Sequence, residues 1–151
     1  MNQGINNTFI KLCLKTYNNY KFVWAANKDK IFLSFHFYAW IIDRDENVIS
    51  FLNSICLPKD YEELKRLTDR GIKHFYKDMV FHYFNFIMTN TKYWTLGGFY
   101  FDKKFFQKFK KGNYCYKISV IKNRPVAYIY ESVNADPLDY CGVVCGVIDN
   151  G

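Results

Sequence analysis

Residues 114–130 read YCYKISVIKNRPVAYIY. Along the first half, Tyr114, Tyr116, Ile118 and Val120 alternate with Cys115, Lys117, Ser119 and Ile121. That period of two is the pattern of a half-buried strand. Pro125–Tyr130 alternates in the same way, and Lys122-Asn123-Arg124 between the runs reads as a tight hairpin turn. An antiparallel pair is therefore the starting point for the fold.

Toward the N-terminus, Lys21–Ala26 and Ile31–Ile42 are rich in aromatic and β-branched residues, which favour strands. Asn27-Lys28-Asp29-Lys30 between them has turn chemistry. Asp43–Asn47 reads as the next turn, followed by a short strand through about Phe51. Residues 9–17 place Ile10, Leu12, Leu14 and Thr16 on one side and Lys11 and Lys15 on the other. That suits a strand, with a helix starting near Thr8 as the alternative. Between the hairpin and these segments, Leu96-Gly97-Gly98 breaks the chain and Phe99–Phe101 reads as a short strand. Asp102 is placed to cap a short helix, Lys103–Lys111, that Gly112 ends.

The strongest helix signal follows Pro58. Asp60-Tyr61-Glu62-Glu63 has the spacing of a capping box. Leu64 and Leu67 begin an apolar stripe that resumes as Ile72, Phe75, Tyr76, Met79, Val80, Tyr83, Phe84 and Ile87. These steps trace one face of a 3.6-residue helix. Gly71 divides or kinks it, since glycine in a helix interior costs roughly 1 kcal/mol relative to alanine. The sum is an α+β fold: a single domain over residues 1–151, with an antiparallel sheet packed against a central amphipathic helix or kinked helix pair.

Composition agrees with a packed core. The chain has 151 residues, of which 50% are hydrophobic and 21% aromatic. Disordered chains lack that much apolar surface, and 8 Gly with 3 Pro excludes a collagen-like repeat. The longest apolar run, Ile31–Ile42, is well short of the roughly 20 residues that cross a bilayer as a helix. The N-terminal residues lack the charged start and apolar run of a signal peptide. The expected location is cytoplasmic, in a host cell, with no membrane partner. The five cysteines, Cys13, Cys56, Cys115, Cys141 and Cys145, are expected to be reduced and structural.

Several motifs for chemistry are incomplete. His74, Asp78 and His82 would share one helix face, but their ends would lie about 12 Å apart at a rise of about 1.5 Å per residue. A solvated face with i,i+4 pairs is the simpler reading. Cys141 and Cys145 lack the paired spacing of a zinc site or of a redox CxxC. No P-loop, GxGxxG or GxSxG is present. No catalytic residue, metal site or cofactor is expected, and the chain reads as non-enzymatic.

Charge carries the functional signal. The formal net charge is +7, and it is uneven. Lys103, Lys104, Lys108, Lys110, Lys111, Lys117, Lys122 and Arg124 occur with no acid among them, whereas Glu131 onward is acidic without a base. Concentrated positive charge attracts polyanions. Lysines interleaved with Phe105, Phe106, Phe109, Tyr114 and Tyr116 suit single-stranded nucleic acid, where cations meet phosphates and rings stack on bases. These eight cations are the expected anion-binding residues, and the expected partner is nucleic acid or a nucleoprotein complex. Residue types with AT-rich codons dominate, as in many phages, so a phage or mobile-element accessory that inhibits a host defence system fits this composition. The alternatives are a protein-only interaction module or homo-oligomer, using aromatics such as Phe81 and Tyr93-Trp94, and an enzyme or small-ligand binder whose site converges only in three dimensions.

Overall fold

The computed structural model describes residues 14, 15, 17, 18, 21–75, 82–84, 93–105 and 114–147. They form an α+β fold of antiparallel strands and amphipathic helices. Contacts divide the chain into two compact units, Met1–Thr68 and Asp69–Gly151.

In the first unit, β1 (Val23–Ala26), β2 (Lys30–Ser34) and β3 (Tyr38–Asp43) form an antiparallel meander. The β1–β2 turn forms because the Asn27 Oδ1 accepts from the backbone N–H groups of Asp29 and Lys30, at 2.9 and 2.7 Å. Such side-chain acceptors are why Asn favours turns. The continuous strand expected over Ile31–Ile42 is instead two strands. The chain reverses at Phe35–Tyr38, where the Phe35 N–H donates to the Tyr38 carbonyl at 2.8 Å. Aromatic packing holds this corner: the Phe35 and Tyr38 rings stack at 4.7 Å, and Phe22 lies 5.1 Å from Phe35.

The segment expected as a turn and a short strand after Asp43 is a helix, α1 (Glu46–Ile55). Asp45 is its N-cap and accepts from the N–H groups of Asn47 and Val48. Val48 and Leu52, four residues apart on one face, are buried. A second helix, α2 (Tyr61–Asp69), begins at the expected place. The Asp60 Oδ1 accepts from the Glu63 N–H at 3.2 Å. The Glu63 carboxylate does not return to the Asp60 backbone N–H, as a capping box requires, but pairs with Arg66 at 2.6 Å. Tyr61 and Leu64 pack on a core of Ala25, Phe32 and Ala39, while Leu67, expected in the stripe, is exposed. The four described residues near the N-terminus, Leu14, Lys15, Tyr17 and Asn18, are helical, as in the second of the two readings of that stretch.

The expected helix does not continue to Ile87. After α2 the chain changes to a 3₁₀ helix, Arg70–His74, so the break expected at Gly71 falls just before it. Phe75 then bridges antiparallel to Ser119, and His82–Phe84 is a strand, β4. Pairing with Tyr114, Cys115 and Tyr116 gives β4 its backbone hydrogen-bond partners, and aromatic residues suit that setting as well as a helix. Tyr76, Met79, Val80 and Ile87 lie outside the described residues.

The second unit contains the hairpin β5 (Tyr93–Leu96) and β6 (Phe99–Asp102). It also contains an antiparallel sheet in the order β9-β8-β7-β4, built with β7 (Tyr114–Ile121), β8 (Arg124–Tyr130) and β9 (Gly142–Cys145). Both hairpins close through two residues with positive φ: Gly97 (59°) and Gly98 (86°), then Lys122 (50°) and Asn123 (67°). Two left-handed residues match the twist of paired strands.

Candidate nucleic-acid interface

The β7–β8 register decides which cations share a face. Lys117 lies opposite Tyr128, Ser119 opposite Val126 and Ile121 opposite Arg124. Directly opposed residues project to one side of an antiparallel pair, so Lys117 and Arg124 share a face. The Ser119 hydroxyl, on this face, donates to the Gly71 carbonyl at 2.7 Å. The 3₁₀ helix and Phe75 therefore cover it. The Lys117 Nζ stands 5.5 Å from the Phe75 ring centroid, in cation–π geometry.

The opposite face carries Tyr116, Ile118 and Val120, and the β5–β6 hairpin packs there. The Gly97 N–H donates to the Tyr116 hydroxyl at 2.9 Å. Phe101 is fully buried and lies beside Gly146. The hairpin leads into Lys103 and Lys104, so the structure brings Lys117 and Arg124 together on one side and starts the lysine run from the other. Lys122 is exposed at the hairpin tip between the faces. Lys108, Lys110 and Lys111, with Phe106 and Phe109, lie outside the described residues.

Lys103–Phe105 is a 3₁₀ turn. Asp102 caps it, accepting from the Lys104 N–H at 3.0 Å. The Lys104 Nζ is 3.6 Å from the Asp102 carboxylate and 5.3 Å from the Phe105 ring centroid. The Lys104 side chain is 67% exposed, and an exposed pair at that distance is weak. The ammonium can turn to a phosphate at small cost.

Two of the rings expected to stack are withdrawn, and Phe105 is half-buried. Tyr114 and Tyr116 are buried, and burial pushes the Tyr116 phenol pKa up. Among the described residues of the second unit, the exposed rings lie on the β5–β6 hairpin. Leu96 and Phe101 are buried, whereas Tyr93 is 40% and Tyr100 56% exposed. Tyr93 pairs with Asp102, and Tyr100 with Thr95. These four residues form the hairpin's outward side. Tyr93 was among the expected exposed aromatics; Tyr100 was not. The signal for Tyr100 is the alternation around Gly97-Gly98, which sends Phe99 and Phe101 one way and Tyr100 the other. Phe81 lies outside the described residues.

The other candidate groups do not assemble. His74 is exposed at the end of the 3₁₀ helix, His82 begins β4, and Asp78 is outside the described residues. The three therefore do not form the expected row on one helix face. Among the described residues no three His, Cys, Asp or Glu side chains are grouped to hold a metal. Cys56, Cys115, Cys141 and Cys145 are thiols rather than disulfides. Burial raises the thiol pKa of Cys56, Cys115 and Cys145, the opposite of the shift that activates a cysteine. The buried hydroxyls of the second unit are engaged in packing: Tyr140 donates to Asp69 at 2.6 Å and Tyr130 to the Pro137 carbonyl at 2.7 Å. Among the described residues no helix is long and apolar enough to cross a membrane. Comparison with family models, curated proteins and solved structures finds no match for this chain.

Proposed function

We propose that the protein is a non-enzymatic binding protein that contacts nucleic acid, alone or within a nucleoprotein complex, through its basic segment. The observation that carries this reading is the run of eight cations from Lys103 to Arg124 without an acid. Like charges at that density repel one another, and a polyanion relieves the repulsion. The exposed Lys104 and Lys122 support the reading, as they can reach phosphates without unfolding a strand. The AT-rich residue usage extends it to a phage or mobile-element accessory that occupies a host defence complex.

Salt dependence tests the proposal. Each lysine–phosphate contact on a single strand contributes about −0.7 to the slope of log affinity against log salt. Replacing Lys104, Lys108 and Lys111 by Gln should weaken binding and flatten that slope by about 2 if all three meet phosphates. Oligonucleotide binding followed by anisotropy over a salt series, with circular dichroism as the folding control, reads both. A folded triple variant with unchanged affinity and slope overturns the assignment.

A further inference from the structure

We infer that the outward side of the β5–β6 hairpin is a base-stacking platform selecting single-stranded over duplex nucleic acid, with Tyr93 and Tyr100 supplying the rings and Lys104 the phosphate contact. This rests on the nucleic-acid reading above and names the substrate class.

Four observations carry it. First, Tyr93 and Tyr100 are exposed on a hairpin whose other side is buried through Leu96 and Phe101, so the platform is fixed from beneath. Second, the hairpin is anchored to the sheet at three points. The Gly97 N–H meets the Tyr116 hydroxyl, the Val147 N–H donates to the Tyr100 carbonyl at 2.9 Å, and Phe101 packs beside Gly146. A backbone held this way loses little further freedom on binding. Third, the register makes the two tyrosines diagonal neighbours, a spacing of roughly 7–8 Å. That is about twice the roughly 3.4 Å rise between stacked bases, so each ring can take its own base from a strand whose bases are splayed apart. Fourth, the Lys104 Nζ reaches the carboxylate of Asp102, the residue paired with Tyr93. A cation therefore sits at the platform's edge, where a backbone phosphate would lie beside a stacked base. Duplex bases are already stacked on each other and offer no face to these rings.

The test compares wild type, Tyr100→Ala and Tyr100→Phe for binding to a labelled short oligothymidylate and to a duplex of equal length. Stacking on one aromatic is worth about 1–3 kcal/mol, so Tyr100→Ala should weaken single-strand binding about tenfold. Its salt slope should be unchanged, since no phosphate contact is lost, and its duplex binding should hardly move. Tyr100→Phe keeps a ring and should bind like wild type. Tyr93→Ala should behave as Tyr100→Ala does. If wild type binds oligothymidylate and both alanine variants bind it equally well, the platform is overturned while the charge-based reading stands. If wild type binds neither nucleic acid at low salt, both fall. If the alanine variants lose self-association in sedimentation but no oligonucleotide affinity, the hairpin is a protein contact and the inference is wrong.

Discussion

Gly71 lies directly against the hydroxyl of Tyr128, so close that a Cβ on Gly71 would collide with the phenol oxygen. Tyr128 is buried, and its ring packs edge-on against both Phe75 and Tyr140, at 5.5 and 5.1 Å between centroids. Neither partner can move without disturbing the other. Gly71→Ala should therefore destabilise the fold by about 1–3 kcal/mol, the usual cost of overpacking. Tyr128→Phe removes the oxygen that the new methyl would strike. In urea denaturation the double variant should be more stable than the two single changes predict when added. Strict additivity would show that the contact is not what excludes a side chain at position 71.

Burial pushes the Tyr128 phenol up to about 12, with Asp69 adding to the shift, against a hydrogen bond from the Gly71 backbone. Tyr130 shifts in the same direction, again chiefly through burial. The folded state then keeps a proton that the unfolded chain releases near pH 10. Stability is complete below about pH 10 and falls as pH rises toward about 12, by about 1.4 kcal/mol per pH unit for each such group. Urea midpoints measured across that range should decline, and Tyr128→Phe should flatten the decline. A midpoint independent of pH there would place both phenols in water.

Asp45 satisfies two N–H groups at the start of α1, those of Asn47 at 2.8 Å and Val48 at 3.2 Å. Asp45→Ala should cost about 1 kcal/mol, while Asp45→Asn and Asp45→Ser should retain most of the stability. Thermal denaturation of the three variants decides the matter, and equal losses in all of them would rule out the capping role.

Lys122 holds a left-handed backbone at φ 50° beside Asn123 at 67°. Asparagine tolerates this conformation better than lysine does. Lys122→Asn should raise stability by up to about 1 kcal/mol, part of the left-handed backbone cost that asparagine escapes. A lower melting temperature would mean that the lysine side chain contributes more than its backbone costs.

Local signals were legible where they agreed with the final partners. The β7–β8 hairpin combined strict alternation with turn chemistry between its arms, and the structure pairs Ile121 with Arg124 across Lys122-Asn123. Asp60 marked the start of α2 for the same reason. α1 was obscured because Asn47, Val48, Ile49, Ser50 and Phe51 have weak helix propensity; its evidence was Asp45 followed by the four-residue step from Val48 to Leu52. The stripe from Ile72 onward misled because periodicity reports which residues are apolar, not what they meet. The edge of β7 lies too far along the chain for a local pattern to disclose it. In the candidate site, the charge was visible in full. Which rings remain accessible depends on the face each strand buries, and that required the register of both hairpins.

The outer edge of β1 has a neighbour that shapes how the protein behaves in a crowded solution. Lys59 forms a parallel bridge to Ala25, its N–H donates to the Trp24 carbonyl at 2.7 Å, and the Trp24 indole donates to the Cys56 carbonyl at 2.8 Å. A single extended residue thus takes the place that a strand from another molecule would need. Pro58 before it has no N–H to offer an incoming chain, and the charge of Lys59 opposes stacking of identical copies. The short segment between the two helices consequently acts as a guard against edge-to-edge aggregation, which an aromatic, β-branched strand such as Val23–Ala26 would otherwise invite.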